Sequence, residues 1–383
     1  MRYLLICMIF GYSILSFSQE NKITQEKEIT YFGRDHFIIE GTSISDSLKE
    51  SPYDRLPISY KDKVREPVWD LSKASAGITV RFHSNSTSIS LKWTILNDFD
   101  MPHMASTGIK GIDLYTKYNN KWRYVTSAGA LVGQKKYQNN EVASDSINEY
   151  ELITNISSEF REYKLFLPLY DGVTKLEIGI DSDAQIKKAT PNTKKPIVFY
   201  GTSITQGGCA SRPGMAHTNI ISRKLDVDCI NFGFSGNGRM ETPIIELISE
   251  IKASVYVIEC LQNMNIKQVK ERVLPLVKII RKKQPSTPII FVENMMYKTA
   301  FLDKTIETEL IQENLALKNE YDKILKNGFQ NIFYIEDMKA DGMDNEGTVD
   351  GVHLTDLGFL RYANYIIENF KKYNLIKTVA HKD

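Results

Sequence analysis

The sequence lacks a charge surplus, a cysteine framework and, past its first 18 residues, any long apolar run. Each lack removes a class of protein. Its 48 Lys and Arg against 47 Asp and Glu leave a formal charge of +1. A phosphate-rich partner calls for a basic surplus, so nucleic acid is not an expected ligand. With no later apolar stretch near the ~20 residues of a spanning helix, a polytopic membrane protein is excluded. Past residue 18 only Cys209, Cys229 and Cys260 remain, an odd set confined to the second half, which is no disulfide framework. Cys229 and Cys260 lie in apolar, strand-like runs and read as buried small hydrophobes. Cys209 follows a Gly-Gly pair and reads as open to solvent. Neither CxxC nor HExxH occurs, so no metal site is expected. The lack of repeats and of a sorting tail argues against a surface adhesin.

What is present is enough apolar material for a large core, 42% hydrophobic and 10% aromatic residues, in a chain of 383. That length is well above the ~150 residues of one typical domain, so two domains are expected. Met1-Arg2 precedes an apolar stretch from Tyr3 to Phe17, and Ser16-Phe17-Ser18 offers small residues for cleavage. This is the layout of a secretory signal peptide over residues 1–18. The mature protein is expected in a periplasm or outside the cell, with no stable membrane insertion. Cutting after Ser18 removes Arg2 and no acid, so the +1 chain becomes neutral.

Over residues 19–190 the pattern has a period of two. Ile78, Val80 and Phe82 alternate with polar residues, as do Ile89, Leu91, Trp93 and Ile95, and the pair reads as a hairpin. Further strands are expected at Gly111–Tyr118, Trp122–Ala128, Tyr163–Leu169 and Lys175–Ile180, with no helix between them. Their natural closure is an antiparallel, jelly-roll-like β-sandwich. The segment from Ala189 to Pro196 has a linker composition. Residues 191–383 then alternate short apolar strands (Ile197–Tyr200, Cys229–Phe234, Val255–Cys260, Pro288–Glu293, Ile332–Glu336) with amphipathic helices. That order gives a parallel five-stranded sheet covered on both faces, whose ligands sit at the carboxyl ends of the strands.

Four segments follow those strand ends. Gly201-Thr202-Ser203 places a serine on a sharp turn, although loop composition alone favours an ordinary turn. In Asn231 to Gly238, Gly236 and Gly238 past the strand let backbone N–H groups approach a ligand, or simply tighten a turn. Asn263 can donate to an oxyanion or cap the next helix. Asp350-Gly-Val-His353 can put a carboxylate beside an imidazole, or form an Asp-Gly turn before a helix capped by Thr355.

In that order and spacing, Gly201-x-Ser203, Gly236, Asn263 and Asp350-x-x-His353 resemble the SGNH (GDSL-like) hydrolase superfamily over roughly residues 196–373. Gly111-Ile112-Asp113-Leu114-Tyr115 resembles the GxDLY signature of a β-domain that precedes some bacterial members. The resemblance implies a flavodoxin-like three-layer α/β/α domain with Ser203 as nucleophile, His353 as general base and Asp350 as its support. It also implies an oxyanion hole from the N–H groups of Ser203 and Gly236 and the Asn263 amide, with no cofactor. Thr202 stands where the family has Asp, and Met264 follows Asn263 where an Asp is common.

The function implied is an exported carbohydrate esterase acting on small acyl esters, acetyl above all, of a small molecule or polysaccharide. The alternatives are a lysophospholipase, thioesterase or platelet-activating-factor acetylhydrolase-like esterase, or an inactive carbohydrate-binding protein. The intact Ser203, Asp350, His353 and Asn263 argue against the last. His103, in a His-, Met- and Pro-rich loop between two strands, reads either as reaching over the catalytic domain or as an ordinary sandwich-end loop. His217, a few residues past the Gly-rich loop, reads as facing the active site or as a surface or helix-start histidine. Arg239 and Glu293, just past strand ends, read as substrate contacts or as helix-start and turn residues. Composition does not decide the oligomeric state.

Overall fold

The computed structural model describes residues 27–98, 100–129, 137–138, 141–142, 147–336 and 340–376. The expected signal peptide and its cleavage site lie outside the described residues.

The strands of the first half are β1 (Ile29–Phe32), β2 (Ile38–Glu40), β3 (Thr79–Ser84), β4 (Ile89–Ile95), β5 (Ile112–Tyr118), β6 (Lys121–Ala128), β7 (Tyr137–Gln138), β8 (Glu141–Val142), β9 (Ile147–Ile153), β10 (Arg161–Phe166), β11 (Val173–Asp181) and β12 (Ile186–Lys188). One antiparallel sheet runs β1-β11-β4-β9 and a second runs β12-β3-β10-β5-β6, with β2 also on β3 and β7 paired to β8. Alternate residues from both sheets meet in one core. Val80, Phe82, Ile112, Leu114 and Leu165 come from one sheet, Leu91, Trp93, Leu176 and Ile178 from the other. Each such side chain contributes roughly 1.5–3 kcal/mol through burial. The architecture is the expected sandwich.

The expected hairpin does not form. β3 pairs with β10 while β4 pairs with β11 in the opposite sheet. A two-residue period fixes which side chains face inward but not which strand is the neighbour. The link between β3 and β4 crosses the sandwich because Asp181, buried at the end of β11, collects its donors. The Thr87 N–H (2.8 Å), the Thr87 hydroxyl (2.6 Å) and the Ser88 hydroxyl (2.5 Å) all donate to its carboxylate. Two short helices, α1 (Glu66–Ser72) and α2 (Ser106–Lys110), also interrupt the strands. Neither is long enough to show a helical period. Val68 and Trp69 of α1 leave the sandwich and join Val198, Tyr200 and Phe232 of the second half in one apolar cluster.

The second half holds β13 (Ile197–Gly201), β14 (Cys229–Gly233), β15 (Val255–Glu259), β16 (Ile289–Val292) and β17 (Ile332–Ile335). They form a wholly parallel sheet ordered β14-β13-β15-β16-β17. Every residue of β13 to β16 is buried, as expected for strands covered on both faces. Val198, Tyr200, Phe232, Tyr256 and Ile258 pack towards α5 (Thr242–Ser249), α6 (Ile266–Lys283) and α7 (Lys304–Lys326). Ile197, Phe199, Val255 and Val257 pack towards α4 (His217–Leu225) and α8 (Asp356–Lys372), where Phe359, Tyr362, Ile366 and Phe370 form the inner stripe. Successive strands are added first on one side of β13 and then on the other. That switch point opens a crevice at the carboxyl ends of β13, β14 and β15.

Candidate active site

β13 ends at Gly201, Thr202 is extended, and Ser203 opens α3 (Ser203–Gln206). The N–H groups of Gly207 and Gly208 both donate to the Ser203 carbonyl, at 2.9 and 2.8 Å, which closes the turn beneath it. The Ser203 Oγ lies 2.9 Å from Nε2 of His353. Across the ring, Nδ1 of His353 lies 2.7 Å from Oδ2 of Asp350.

The local sequence explains why that carboxylate is free to hold the ring. The other oxygen of Asp350 accepts from the N–H groups of Val352 (3.0 Å) and His353 (2.8 Å). Such a turn needs the left-handed Gly351, at φ +89°. Directly afterwards Thr355 caps α8 by accepting from the Gly358 N–H at 3.2 Å. Turn, cap and carboxylate–imidazole pair therefore coexist in one segment. Burial pushes the Asp350 carboxyl up, but the His353 ring and the two N–H groups outweigh it and hold the carboxyl below its ordinary range. An ionised carboxylate on Nδ1 leaves Nε2 facing a hydroxyl, which is the arrangement that accepts a proton from that hydroxyl.

Gly236 lies past β14 with φ +66° and an exposed backbone. Asn263 ends a 3₁₀ turn, Leu261–Asn263, that follows β15. Its amide oxygen accepts from the N–H groups of Asn237 (3.0 Å) and Gly238 (3.2 Å), which turns the NH₂ to the opposite side. Capping of α6 falls to Asn265 in a capping box with Gln268, not to Asn263. Ser203, Gly236 and Asn263 thus follow three neighbouring strands.

His103 stands against the pair, its ring 5.9 Å from that of His353. The sandwich loop that carries it is tied down where the Thr107 hydroxyl donates to the Ser211 carbonyl at 2.5 Å. Arg239 donates to the Gly236 carbonyl at 2.9 Å and so braces that loop. The readings of three residues need correction. Cys209 is buried, not open to solvent, and burial with Asp350 nearby pushes its thiol up to about 12. His217 is fully buried among Phe199, Phe359 and Tyr362 and cannot touch a substrate. Its Nε2 lies 3.2 Å from Glu259. Glu293 turns to β17, where the Tyr334 hydroxyl donates to it at 2.5 Å.

Glu259 is a residue the sequence reading missed. Its buried carboxylate accepts from the Thr205 hydroxyl (2.7 Å) and the Tyr362 hydroxyl (2.9 Å) and ties the Ser203 turn to α8. The available signal was an acid closing the otherwise uncharged strand Val255–Glu259.

The Gly111-to-Tyr115 segment also acquires a physical reading. Ile112 and Leu114 face the sandwich core, so Asp113 and Tyr115 face the other way. Asp113, fully buried, accepts from Arg212 (2.7 Å), the Gly214 N–H (2.7 Å) and the Ser127 hydroxyl (2.6 Å). Arg212 also donates to the Tyr115 hydroxyl at 2.7 Å. The loop leading from Ser203 to α4 is therefore held by the sandwich. A second tie is Arg55, a buried guanidinium that donates to the carbonyls of Ala74 (2.8 Å) and Gly233 (2.5 Å).

Residues 194–371 match the GDSL-like Lipase/Acylhydrolase family. Residues 29–186 match the GxDLY family, described as the N-terminus of Esterase_SGNH_hydro-type. A crystal structure from Bacteroides ovatus, named as a GDSL-like lipase, is 32% identical with a TM-score of 0.83, covering 92% of this chain and 100% of that one. A salicylyl-acyltransferase from a tetracycline biosynthetic pathway shares the fold at 14% identity and TM-score 0.73, over 91% of this chain and 98% of that one. An active-site mutant of a family two carbohydrate esterase from Clostridium thermocellum shares it at 12% identity and TM-score 0.56, over 78% and 92%. No curated protein matches the chain.

Proposed function

The chain belongs to the GDSL-like lipase/acylhydrolase family, and from that premise we propose an exported serine esterase that removes O-acetyl groups from carbohydrate. The observation that carries the proposal is the continuous link from Ser203 through His353 to Asp350, at 2.9 and 2.7 Å. In this reading Ser203 Oγ attacks the ester carbonyl while its proton passes to Nε2 of His353. Asp350 holds the ring and offsets the charge it gains. The N–H groups of Ser203 and Gly236 and the NH₂ of Asn263 receive the developing oxyanion, and losing one such donor costs ~10²–10³ in rate. His353 then protonates the leaving alcohol, and water activated by the same imidazole releases the acid and restores Ser203.

Preference for a sugar ester over a long-chain lipid rests on the polar rim, which carries exposed His103 and half-buried Asn237 and Arg239. The shared fold with carbohydrate esterases is consistent with it. Export rests on the Met1–Ser18 layout. The roles of the sandwich are to brace the loop after Ser203 and to contribute His103 to the rim.

The test is acetate release from acetylated polysaccharides and from p-nitrophenyl acetate by the wild type and Ser203→Ala. Release that disappears in the variant supports the proposal, and the ranking of polysaccharides names the sugar. Equal release by both proteins removes Ser203 as nucleophile. Cleavage of long-chain esters alone moves the protein to the lipid-directed alternative.

A further inference from the structure

Four metal-ligating side chains converge beside Ser203, and only two of them have a part in the proposed chemistry. The donor atoms of His103, Cys209, Asp350 and His353 all lie within 4.8 Å of one another. They come from three separate segments: the sandwich loop, the turn after α3, and the turn before α8. Two imidazoles, a thiol and a carboxylate make a mixed nitrogen, sulfur and oxygen set, which suits zinc and its borderline neighbours and not calcium or magnesium. The Cys209 backbone, at φ +72°, directs a buried side chain into this cluster, while His103 is exposed and supplies the side of entry.

We propose that this cluster binds one zinc-class divalent ion, and that the bound ion switches the esterase off. Binding draws on the four donors alone. The inhibitory consequence rests on the catalytic reading of Ser203 and His353. Ligand atoms around tetrahedral zinc stand ~3.3–3.8 Å apart, given Zn–N near 2.0 Å and Zn–S near 2.3 Å. Reaching that spacing takes a turn of the exposed His103 ring and an opening of the Asp350 Oδ2–His353 Nδ1 pair from its 2.7 Å. Cys209 gives its thiol proton to solvent as the Zn–S bond forms. The ion takes the position between Asp350 and Nδ1 of His353, so the single proton of the neutral ring moves to Nε2. An imidazole protonated at Nε2 cannot take the proton of Ser203.

The test titrates the full chain with ZnCl₂ by calorimetry and follows p-nitrophenyl acetate hydrolysis over the same range. One ion per chain is expected, with activity falling in step with occupancy and returning on addition of EDTA. His103→Ala and Cys209→Ala should each weaken binding ~10-fold or more. Cys209→Ala should also need correspondingly more zinc for inhibition. Co²⁺ gives a reading that needs no activity: a thiolate-to-cobalt charge-transfer band in the wild type that is lost in Cys209→Ser. No saturable binding, or binding and inhibition that survive both alanine substitutions, would overturn the proposal. Normal binding to a chain whose hydrolysis ignores the ion keeps the site and removes the inhibitory step. That outcome differs from failure of the esterase reading, in which Ser203→Ala leaves hydrolysis intact.

Discussion

Replacing Asp113 tests whether the sandwich is a brace or a passenger. In Asp113→Ala the Arg212 guanidinium and the Gly214 N–H stay at the domain contact with their acceptor gone. Arg212 keeps 21% of its side chain exposed, so water compensates only part of the loss. Breaking a buried pair by removing one partner costs ~3–5 kcal/mol. Asp113→Asn separates charge from shape. Its oxygen can still accept from Arg212 and Gly214, and its NH₂ can donate to Ser127, whose hydroxyl rotates to receive it. Only the charge assistance goes, worth ~1–2 kcal/mol. Burial already pushes the Asp113 carboxyl up against the pull of Arg212, which keeps the charge's share small. The assay is urea unfolding followed by circular dichroism, with limited proteolysis of the segment from Gly207 to Ala216. The expected order is wild type, Asn, then Ala, with cleavage in that segment rising in the alanine variant. An alanine variant within ~1 kcal/mol of wild type, below the cost of a single lost buried hydrogen bond, would refute the bracing argument.

Three further outcomes follow from the same geometry. Burial alone would raise the Asp181 carboxyl, but the Ser88 and Thr87 hydroxyls, the Thr87 N–H and Lys27 hold it well below the usual range. Its stabilisation is present above the ordinary aspartate pKa of ~3.9 and is lost as pH falls towards the folded value. Asp181→Asn should therefore lower stability by ~2 kcal/mol at pH 7, with the gap to wild type narrowing only below pH ~4 in urea titrations. Glu313 is the opposite case: burial, with Glu309 beside it, raises its carboxyl to about 7. Wild-type stability should fall as pH rises from ~4.3 to about 7, and Glu313→Gln should be ~1 kcal/mol more stable at pH 8, after discounting for its half-exposed setting, and equal at pH 4. A Cβ on Gly238 would fall 1.8 Å from the Gly201 carbonyl, whereas one on Gly236 meets nothing within 4 Å. Gly238→Ala should then reduce kcat on p-nitrophenyl acetate by ~10² or more, while Gly236→Ala costs only its left-handed backbone, ~1–2 kcal/mol, and stays within about tenfold.

The parts of the chain that could be read from sequence are those whose reason is local. A buried parallel strand is apolar at every position, so β13 to β16 announce themselves and fix where the crevice lies. Asp350 and His353 sit three residues apart with Gly351 between them, so their pairing needs no knowledge of distant residues. Asn265 shows the limit of that method, because two asparagines two residues apart compete for one helix cap. The side-chain amide of Gln268 decides it. The β3–β4 link defeats local reading for the same kind of reason. Its route depends on Asp181, almost a hundred residues away in sequence.

What stayed illegible is the chemistry between segments. Arg55 and Cys209 look ordinary in sequence, and Asp113 and His103, although their segments draw notice, show no partner there, since each meets its partner only when the sandwich docks on the parallel sheet. His217 and Glu259 differ in kind. Glu259 closes β15 and His217 opens α4, places where rules of position favour a site, yet burial converts both into the frame beneath Ser203. A strand end is therefore not a sufficient mark of this site. The distinguishing property is whether the polar group faces the crevice or faces the core, as exposed His103 and buried His217 do. Periodicity cannot supply that distinction for a residue at the first turn of a helix, because packing against α8 sets its direction. This is why Tyr362 and Phe359, over a hundred residues downstream, decide what His217 does.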